Sequence, residues 1–477
     1  MKVKVIKIIS FVLIFCMLFY SVNKILRFKY DTLIYPFDSF YELDKNTIDV
    51  LFIGNSHVHY DINPAILYKD YGIVSFNLSS DGAIVWVNYY YLKEVLKTHK
   101  PKLIILEAYA IIYSHNYYPY HRMFTHNAGL KWSIDKINSL KISATRDKWN
   151  EVFNPLYQYH GRYGSLTISD FLKYKNQYNK YKYYKNYIFL SQKRELGYYN
   201  LEYYTNINEQ SNLSDKSQNY YLKILELAKK HNIPILVMFS PYHMSKKHIK
   251  MANTIKRIAY EYGVPFVNFT FKYNDYNLNF NEDFGDSGHL TYIGATKFTR
   301  YLGQYLKDNY DLPDRRGDPK YYSWEMNAKY QDKEIYNFEL KKSANLNEYI
   351  EKVKNVDDYV IGITMLGNYQ KNDAVVQSIA TNFNIDNIYL KNASYVVDNN
   401  KLIYSSDGSN QYLFHKEIGS YTDLVVQNGQ KLSINRKNYI KTKNGINMVI
   451  YDKFTEEIVD NIYLEYKGKT INPTIKR

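Results

Sequence analysis

Two short blocks, over two hundred residues apart, carry the side chains best suited to acyl-group chemistry. The first is Gly54-Asn55-Ser56-His57, directly after the apolar run Ile48–Ile53 (IDVLFI). A serine at the tip of a buried strand, preceded by glycine, is presented on a sharp turn at the carboxyl edge of a sheet. Its own N–H and that of a nearby glycine can then aim at a developing oxyanion. The second block is Asp286-Ser287-Gly288-His289-Leu290, just ahead of a helical pattern. An aspartate and a histidine three residues apart on one loop can serve as orienter and base. Asp286 would hold one imidazole nitrogen while the other reaches Ser56 Oγ. The plainer readings are a turn serine that caps the next helix, and an Asp286 N-cap that leaves His289 an ordinary first-turn residue.

Other candidates surround these. His57 and His59 form a His-x-His pair at the strand end, and with His243 and His289 they could ligate zinc. The serine-based set accounts for the same positions, so no metal and no cofactor are expected. His243 follows the run Ile235–Phe239 and is placed near the site mouth as a substrate contact, as is His57. Glu107 closes another apolar run, either as a site carboxylate or as a solvated strand end. Phe171–Leu190 (FLKYKNQYNKYKYYKNYIFL) holds Lys173, Lys175 and Tyr178 among five lysines and six tyrosines, with no acid. Tyrosine rings can stack on sugars and lysines can neutralise phosphate or carboxylate. The alternative is an amphipathic flap whose tyrosines cover a core and whose lysines are solvated.

The elements that must position these residues follow an alternation. Ile48–Ile53, Gly72–Leu78, Lys102–Leu106, Ile235–Phe239 and Pro265–Phe269 read as strands. Trp86–Thr98, Tyr220–His231, Ile249–Tyr262 and Thr291–Asp308 read as helices. Near-continuously apolar strands alternating with helices predict an α/β fold with a parallel sheet covered on both faces, with chemistry at the carboxyl ends of the strands. An insertion, 109–218, separates the third and fourth strands. The cluster Pro313–Pro319 predicts a linker, 313–334. Beyond it, 335–477 reads as a β-rich domain, with strands at Tyr359–Met365, Ile388–Leu390, Leu402–Tyr404, Leu424–Gln427, Ile446–Tyr451 and Asn461–Tyr466.

The chain has 477 residues, room for two or three domains. Its balance of 62 Lys+Arg against 47 Asp+Glu favours anionic partners. A single cysteine, Cys16, excludes an intramolecular disulfide and a multi-cysteine zinc site. It lies in Ile8–Val22, which has no charged residue and is flanked by lysines whose stems can extend its apolar reach. No small-residue cleavage site follows, so 1–29 reads as an uncleaved signal anchor. The rest, with its hydrolase-like part at 30–312, is then expected outside the cytoplasm on a single-pass membrane protein. No nucleic-acid module is visible.

Gly54-Asn55-Ser56 with Asp286-Ser287-Gly288-His289-Leu290-Thr291-Tyr292-Ile293-Gly294-Ala295 resembles the first and last blocks of the SGNH/GDSL hydrolase superfamily. More narrowly, it is similar to membrane-anchored members of cell-envelope polymer acylation, the D-alanyl lipoteichoic acid transfer and alginate O-acetylation proteins. The resemblance spans about Asn46–Asp308, without the insertion. It implies a three-layer, flavodoxin-like domain, with Ser56 as nucleophile, His289 as base, Asp286 as its partner, and an oxyanion hole from Ser56 and Gly82. The chain departs from the family at Asn55, where aspartate is common, and after the third strand. There Leu106-Glu107-Ala108 replaces the Gly-x-Asn-Asp block and leaves a third oxyanion donor unassigned. At the other end, Asn444–Asp452 and Ile458-Val459-Asp460, with Tyr359–Met365, resemble the interleukin-like EMT inducer domains over about Tyr336–Lys467. That implies a compact β-rich fold and a carbohydrate-binding module; a scaffold without ligand is the alternative.

Together these readings give an extracytoplasmic serine acyltransferase or esterase, adding or removing O-acyl groups (acetyl above all) on a cell-surface polysaccharide or teichoic-acid-like polymer. The family resemblance implies a membrane-bound O-acyltransferase as partner in a transfer role. The competing class is a non-catalytic glycan-binding surface protein with a degenerate hydrolase domain.

Overall fold

The structure, a computed structural model, describes residues 2–26, 35–113, 125–154, 156, 159–166, 168–171, 183–386, 391–406, 413–420, 422–428, 430–467 and 470–477. The expected strand Ile388–Leu390 and the expected contacts Lys173, Lys175 and Tyr178 lie outside the described residues. The chain divides into two compact units, Met1–Lys329 and Tyr330–Arg477.

Helix α1 (Lys2–Leu26) includes a 24-residue candidate span, Val3–Leu26, whose apolar window is unburied; only its last residue, Leu26, is covered, beside Ala128 and Tyr159. At 1.5 Å per residue it is roughly 36 Å long, enough to cross a hydrocarbon layer of about 30 Å. The first sheet has strands β1 (Val50–Gly54), β2 (Ser75–Ser79), β3 (Leu103–Glu107), β4 (Ile235–Phe239) and β5 (Phe266–Asn268). They are all parallel, in the order β2-β1-β3-β4-β5. Every residue of β1 to β4 is buried, which is why these strands read as apolar runs rather than alternating ones.

Among the helices of this unit are α2 (Ser56–Asp61), α3 (Pro64–Tyr71), α4 (Val85–Val95), α5 (Ile134–Ser143), α6 (Asp215–Lys230), α7 (Lys246–Glu261) and α8 (Tyr292–Asn309). Right-handed crossovers put α3, which leads leftward to β2, on one face of the sheet, and α4, α6 and α7, which lead rightward, on the other. The packing agrees: α8 lies on α3, and α6 lies on α4. Gly72 ends α3 in the left-handed conformation, φ 71°, where glycine meets no Cβ penalty. Strand order reverses at β1, between β2 and β3, so the carboxyl end of β1 is the switch point where such sheets hold their ligands.

The described part of the insertion is not a detached flap. Helix α5 packs on α4, Trp86 Nε1 donates to Ser143 Oγ at 3.2 Å, and Leu140, Val152, Tyr187 and Tyr199 are buried in the same core as β1 to β4. The expected linker is likewise fastened down. Arg315 reaches Asp49 through two hydrogen bonds, 2.8 and 3.1 Å, and its N–H donates to Gly72 O. Trp324 is buried and donates to Ser75 O at 2.8 Å. The chain there continues as helix α9 (Tyr322–Lys342). The Gly, Pro and charged residues of this cluster do not reveal its ion pair to Asp49, far away in sequence.

In the second unit a six-stranded antiparallel sheet runs β15-β14-β13-β6-β7-β8 and a four-stranded one runs β12-β11-β10-β9. The elements are α10 (Leu346–Lys354), β6 (Tyr359–Asn368), α11 (Ala374–Asn382), β7 (Lys391–Asp398), β8 (Lys401–Ser405), β9 (Leu413–Gly419), β10 (Thr422–Gln427), β11 (Lys431–Ile434), β12 (Lys437–Asn438), β13 (Gly445–Asp452), β14 (Glu457–Lys467) and β15 (Thr470–Ile471). Two cores flank the larger sheet. Ile361, Ile363 and Met365 of β6 pack with residues of α10 and α11, while Val360 packs with Leu424, Val426 and Leu432 of the smaller sheet. A Cβ at Gly362 would stand 2.5 Å from Leu432, so this glycine permits the close approach of the two sheets. The two helices, unforeseen from the strand pattern, cover one face of the larger sheet.

Candidate active site

The apolar strand β1 delivers Gly54 to the switch point. A Cβ at Gly54 would lie 2.7 Å from Val58 Cγ2 and 2.8 Å from Glu107 Cβ, so the turn into α2 closes only over a bare Cα. Asn55 caps α2, its side chain accepting from the His57 N–H at 3.2 Å, as N-cap residues do. Ser56 is the first helical residue, so its N–H has no partner within the helix. Gly54→Ala is expected to lower activity at least ten-fold and stability by about 1–3 kcal/mol. Ester turnover and a thermal melt of the variant would test this.

The second block is folded on itself. Gly285 N–H donates to His289 O at 2.9 Å and Thr291 N–H to Asp283 O at 2.8 Å, closing a small loop ahead of α8. Lys297 Nζ holds Asp283 at 2.7 Å. Within the loop, Asp286 Oδ1 accepts from the N–H of Gly288 (2.8 Å) and of His289 (3.1 Å), while Oδ2 lies 2.8 Å from His289 Nδ1. The helix N-cap is Thr291, whose side chain accepts from Gly294 N–H. Asp286 therefore orients the imidazole instead of capping α8. Burial opposes the charge on Asp286, yet the hydrogen bonds from His289 and Gly288 prevail and hold its carboxyl down at about 2. A carboxylate there fixes the proton on Nδ1 and leaves Nε2 as an acceptor. Nε2 lies 2.7 Å from Ser56 Oγ. The sheet thus brings together residues 233 positions apart into an arrangement able to deprotonate a hydroxyl nucleophile.

The remaining expected residues separate into two groups. His59 is buried and engaged at both nitrogens, Nδ1 with Ser79 Oγ at 3.0 Å and Nε2 with Asp81 Oδ1 at 2.9 Å. It therefore braces the turn that carries Gly82, whose φ is 62°. His243 lies beside the second block, its N–H donating to Ser287 O at 3.1 Å and its ring against Tyr199.

His57 and Glu107, both expected as substrate contacts, are buried. The His57 ring stacks on Tyr109 at 4.4 Å, with Tyr242 at 5.0 Å and His289 at 5.4 Å between centroids. Burial first, then the neighbouring His289, push its pKa well down, so His57 is a neutral ring beneath the His289 imidazole. Glu107 is not a solvated strand end either. Burial raises it to about 8, against weaker lowering by the N–H groups of Tyr109 and Ser240. Among the described residues no three His, Cys, Asp or Glu side chains gather as a metal-ligand set.

Three features were missed. The Tyr60 ring lies 4.8 Å from that of His289. Asp61 is buried in the same short helix. The segment 183–196 straps both blocks together. Asn186 Nδ2 donates to Asn77 O and Ser79 O, Ile188 N–H to His59 O at 2.7 Å, and Tyr292 N–H to Leu190 O at 2.8 Å. Lys185, one of the lysines expected in solvent, is fully buried with Nζ on Ser323 Oγ at 2.9 Å. Nothing local distinguishes Tyr60 among 55 tyrosines, nor Lys185 within a run of similar residues.

Comparison with protein-family models and with curated proteins found no match. Among solved structures, the chain is similar to a candidate acylhydrolase from Bacteroides fragilis, with 13% identity over 57% of this chain and 93% of that one, at a TM-score of 0.28. It is also similar to an acetyl xylan esterase from the rumen bacterium Butyrivibrio proteoclasticus, with 10% identity over 55% of this chain and 64% of that one, at a TM-score of 0.24. Likenesses this distant add nothing to the chemistry, which rests on the side chains themselves.

Proposed function

We propose that this chain is a serine esterase or acyltransferase acting on O-acyl groups of a cell-surface polysaccharide, held to the membrane by α1 with the remainder extracytoplasmic. The hydrogen-bonded series Ser56–His289–Asp286, at 2.7 and 2.8 Å, carries the reading. Ser56 Oγ attacks the acyl carbonyl while His289 Nε2 takes its proton. The ionised Asp286 stabilises the imidazolium that forms. The N–H groups of Ser56 and Gly82 receive the oxyanion. Collapse expels the alcohol, which leaves with the proton from His289 and a covalent acyl-Ser56 remains. A sugar hydroxyl (transfer) or water (hydrolysis), deprotonated by His289, then releases it. By the family resemblance, transfer would draw its acyl group from a membrane-bound O-acyltransferase.

A fluorophosphonate probe tests the reading: the full chain should label at Ser56, and Ser56→Ala should not. Absence of labelling, with glycan binding retained, would favour the non-catalytic surface protein. If the basic insertion docks an anionic acceptor, replacing Lys173, Lys175, Lys180 and Lys182 together by Gln should lower polymer acylation several-fold more than turnover of a small ester. The difference should shrink with salt. Lys185 is left out because its burial makes it structural. Equal losses on both substrates would remove the docking role.

A further inference from the structure

A base on one loop and a nucleophile on another stay within hydrogen-bond distance only if the two loops are tied. The buried end of α2 supplies such a tie. Asp61, five residues after Ser56, is completely buried. Its Oδ1 accepts from the Leu290 N–H at 2.9 Å, and Leu290 directly follows His289. The neighbouring contacts strengthen the same joint. Thr299 Oγ1, on α8, donates to Asp61 O at 3.3 Å and accepts from the Asn63 N–H at 3.0 Å. Asp61 Oδ2 faces His57 Nδ1 at 3.7 Å, and neither atom has a hydrogen-bond partner among the described residues. The same carboxyl thus meets both the chain behind the base and the ring packed beneath it.

Resting on the esterase or acyltransferase reading, we propose that Asp61 is a positioning residue which sets the separation of Ser56 Oγ and His289 Nε2 by clasping the nucleophile's helix to the backbone after the base. It touches no substrate. It acts through Leu290 and His57, so its loss would be felt in the chemical step and not in ester binding. Burial pushes the Asp61 carboxyl well above the usual range, so a neutral amide of the same shape should do its work. A displacement of about 1 Å at a reacting pair is enough to cost on the order of a hundred-fold.

The test is hydrolysis of p-nitrophenyl acetate by the full chain in detergent, with Asp61→Ala, Asp61→Asn, Thr299→Val and Ser56→Ala assayed side by side. Asp61→Ala should lower kcat ten- to a hundred-fold with KM within two-fold. Asp61→Asn, which keeps the acceptor, should recover most of that loss. Thr299→Val should lower kcat several-fold. A kcat for Asp61→Ala within three-fold of wild type overturns the proposal. So does a loss in Asp61→Asn as large as in Asp61→Ala with the fold retained. Where Asp61→Ala does not fold, Thr299→Val decides, and an unchanged kcat in it overturns the proposal. Ser56→Ala separates the two failures. If it is inactive while the Asp61 and Thr299 variants are normal, only the clasp is wrong; if it is active, the serine mechanism itself falls.

Discussion

Ser56→Ala and His289→Ala should each lower kcat/KM toward p-nitrophenyl acetate by at least about 10³-fold while leaving the melting profile of the protein intact. The size of the effect follows from the geometry. Ser56 Oγ and His289 Nε2 lie 2.7 Å apart; in the proposed mechanism they act as one unit, so removing either abolishes the same proton transfer, and the double variant should be little worse than the single ones. The fold should survive, because neither side chain packs the sheet core; His289 keeps a quarter of its side chain exposed, 23%. Asp286→Asn is the informative intermediate. It can still accept the backbone N–H groups of Gly288 and His289, but it removes the charge that stabilises imidazolium. A loss of about 10²- to 10⁴-fold, with ester KM nearly unchanged, is expected. Wild-type turnover by Ser56→Ala would end the covalent mechanism, and wild-type turnover by Asp286→Asn would show that His289 needs no charged orienter.

The parts of this site that can be read from sequence are those whose causes are local. Parallel strands buried on both faces leave uninterrupted apolar runs, so the runs ending at Gly54 and at Glu107 marked the sheet's carboxyl edge. Asp286 and His289 sit three residues apart on one turn, and their mutual bond needs nothing from elsewhere. What could not be read depends on contacts made across the chain. Glu107 resembles any acidic strand end until Gly54, Tyr109 and Ser240 close over it. Lys185 resembles its neighbouring lysines, yet the chain turns there through left-handed φ values at Lys185 and Asn186, and its ammonium lies over the Trp324 ring. Arg315 sits in a cluster with every mark of a linker, and its partners Asp49, at the foot of β1, and Gly72 O explain why the cluster is fixed. The C-terminal β-pattern was visible for a related reason in reverse: its turns are rich in Asn and Gly, whereas the two helices that cover the larger sheet are short.

Glu107→Gln should make the first unit more stable, by an amount that grows with pH. Unfolded, Glu107 ionises at its ordinary value of 4.5; folded, burial beneath the nucleophile's turn delays ionisation to about 8. Its folded pKa is therefore raised. Below 4.5 both states carry the proton and pH has no leverage through this residue. Between 4.5 and 8 the unfolded chain releases the proton that the folded one keeps, so each rise in pH draws the equilibrium toward unfolding. Above 8 both states are ionised and the loss is complete, about 5 kcal/mol. Glutamine cannot ionise and keeps a carbonyl oxygen for the Tyr109 N–H, so it escapes this loss. The variant and the wild type should melt together near pH 4.5 and separate through neutrality, with the variant higher by on the order of 8 °C at pH 8.5. Tryptophan fluorescence isolates the relevant transition, because Trp86, Trp132, Trp149 and Trp324 all lie within Met1–Lys329. A separation that does not widen with pH would mean that the folded state holds the Glu107 charge more strongly than the Tyr109 and Ser240 N–H groups alone can. A wild type favoured at high pH would go further and restore Glu107 as a working carboxylate of the site.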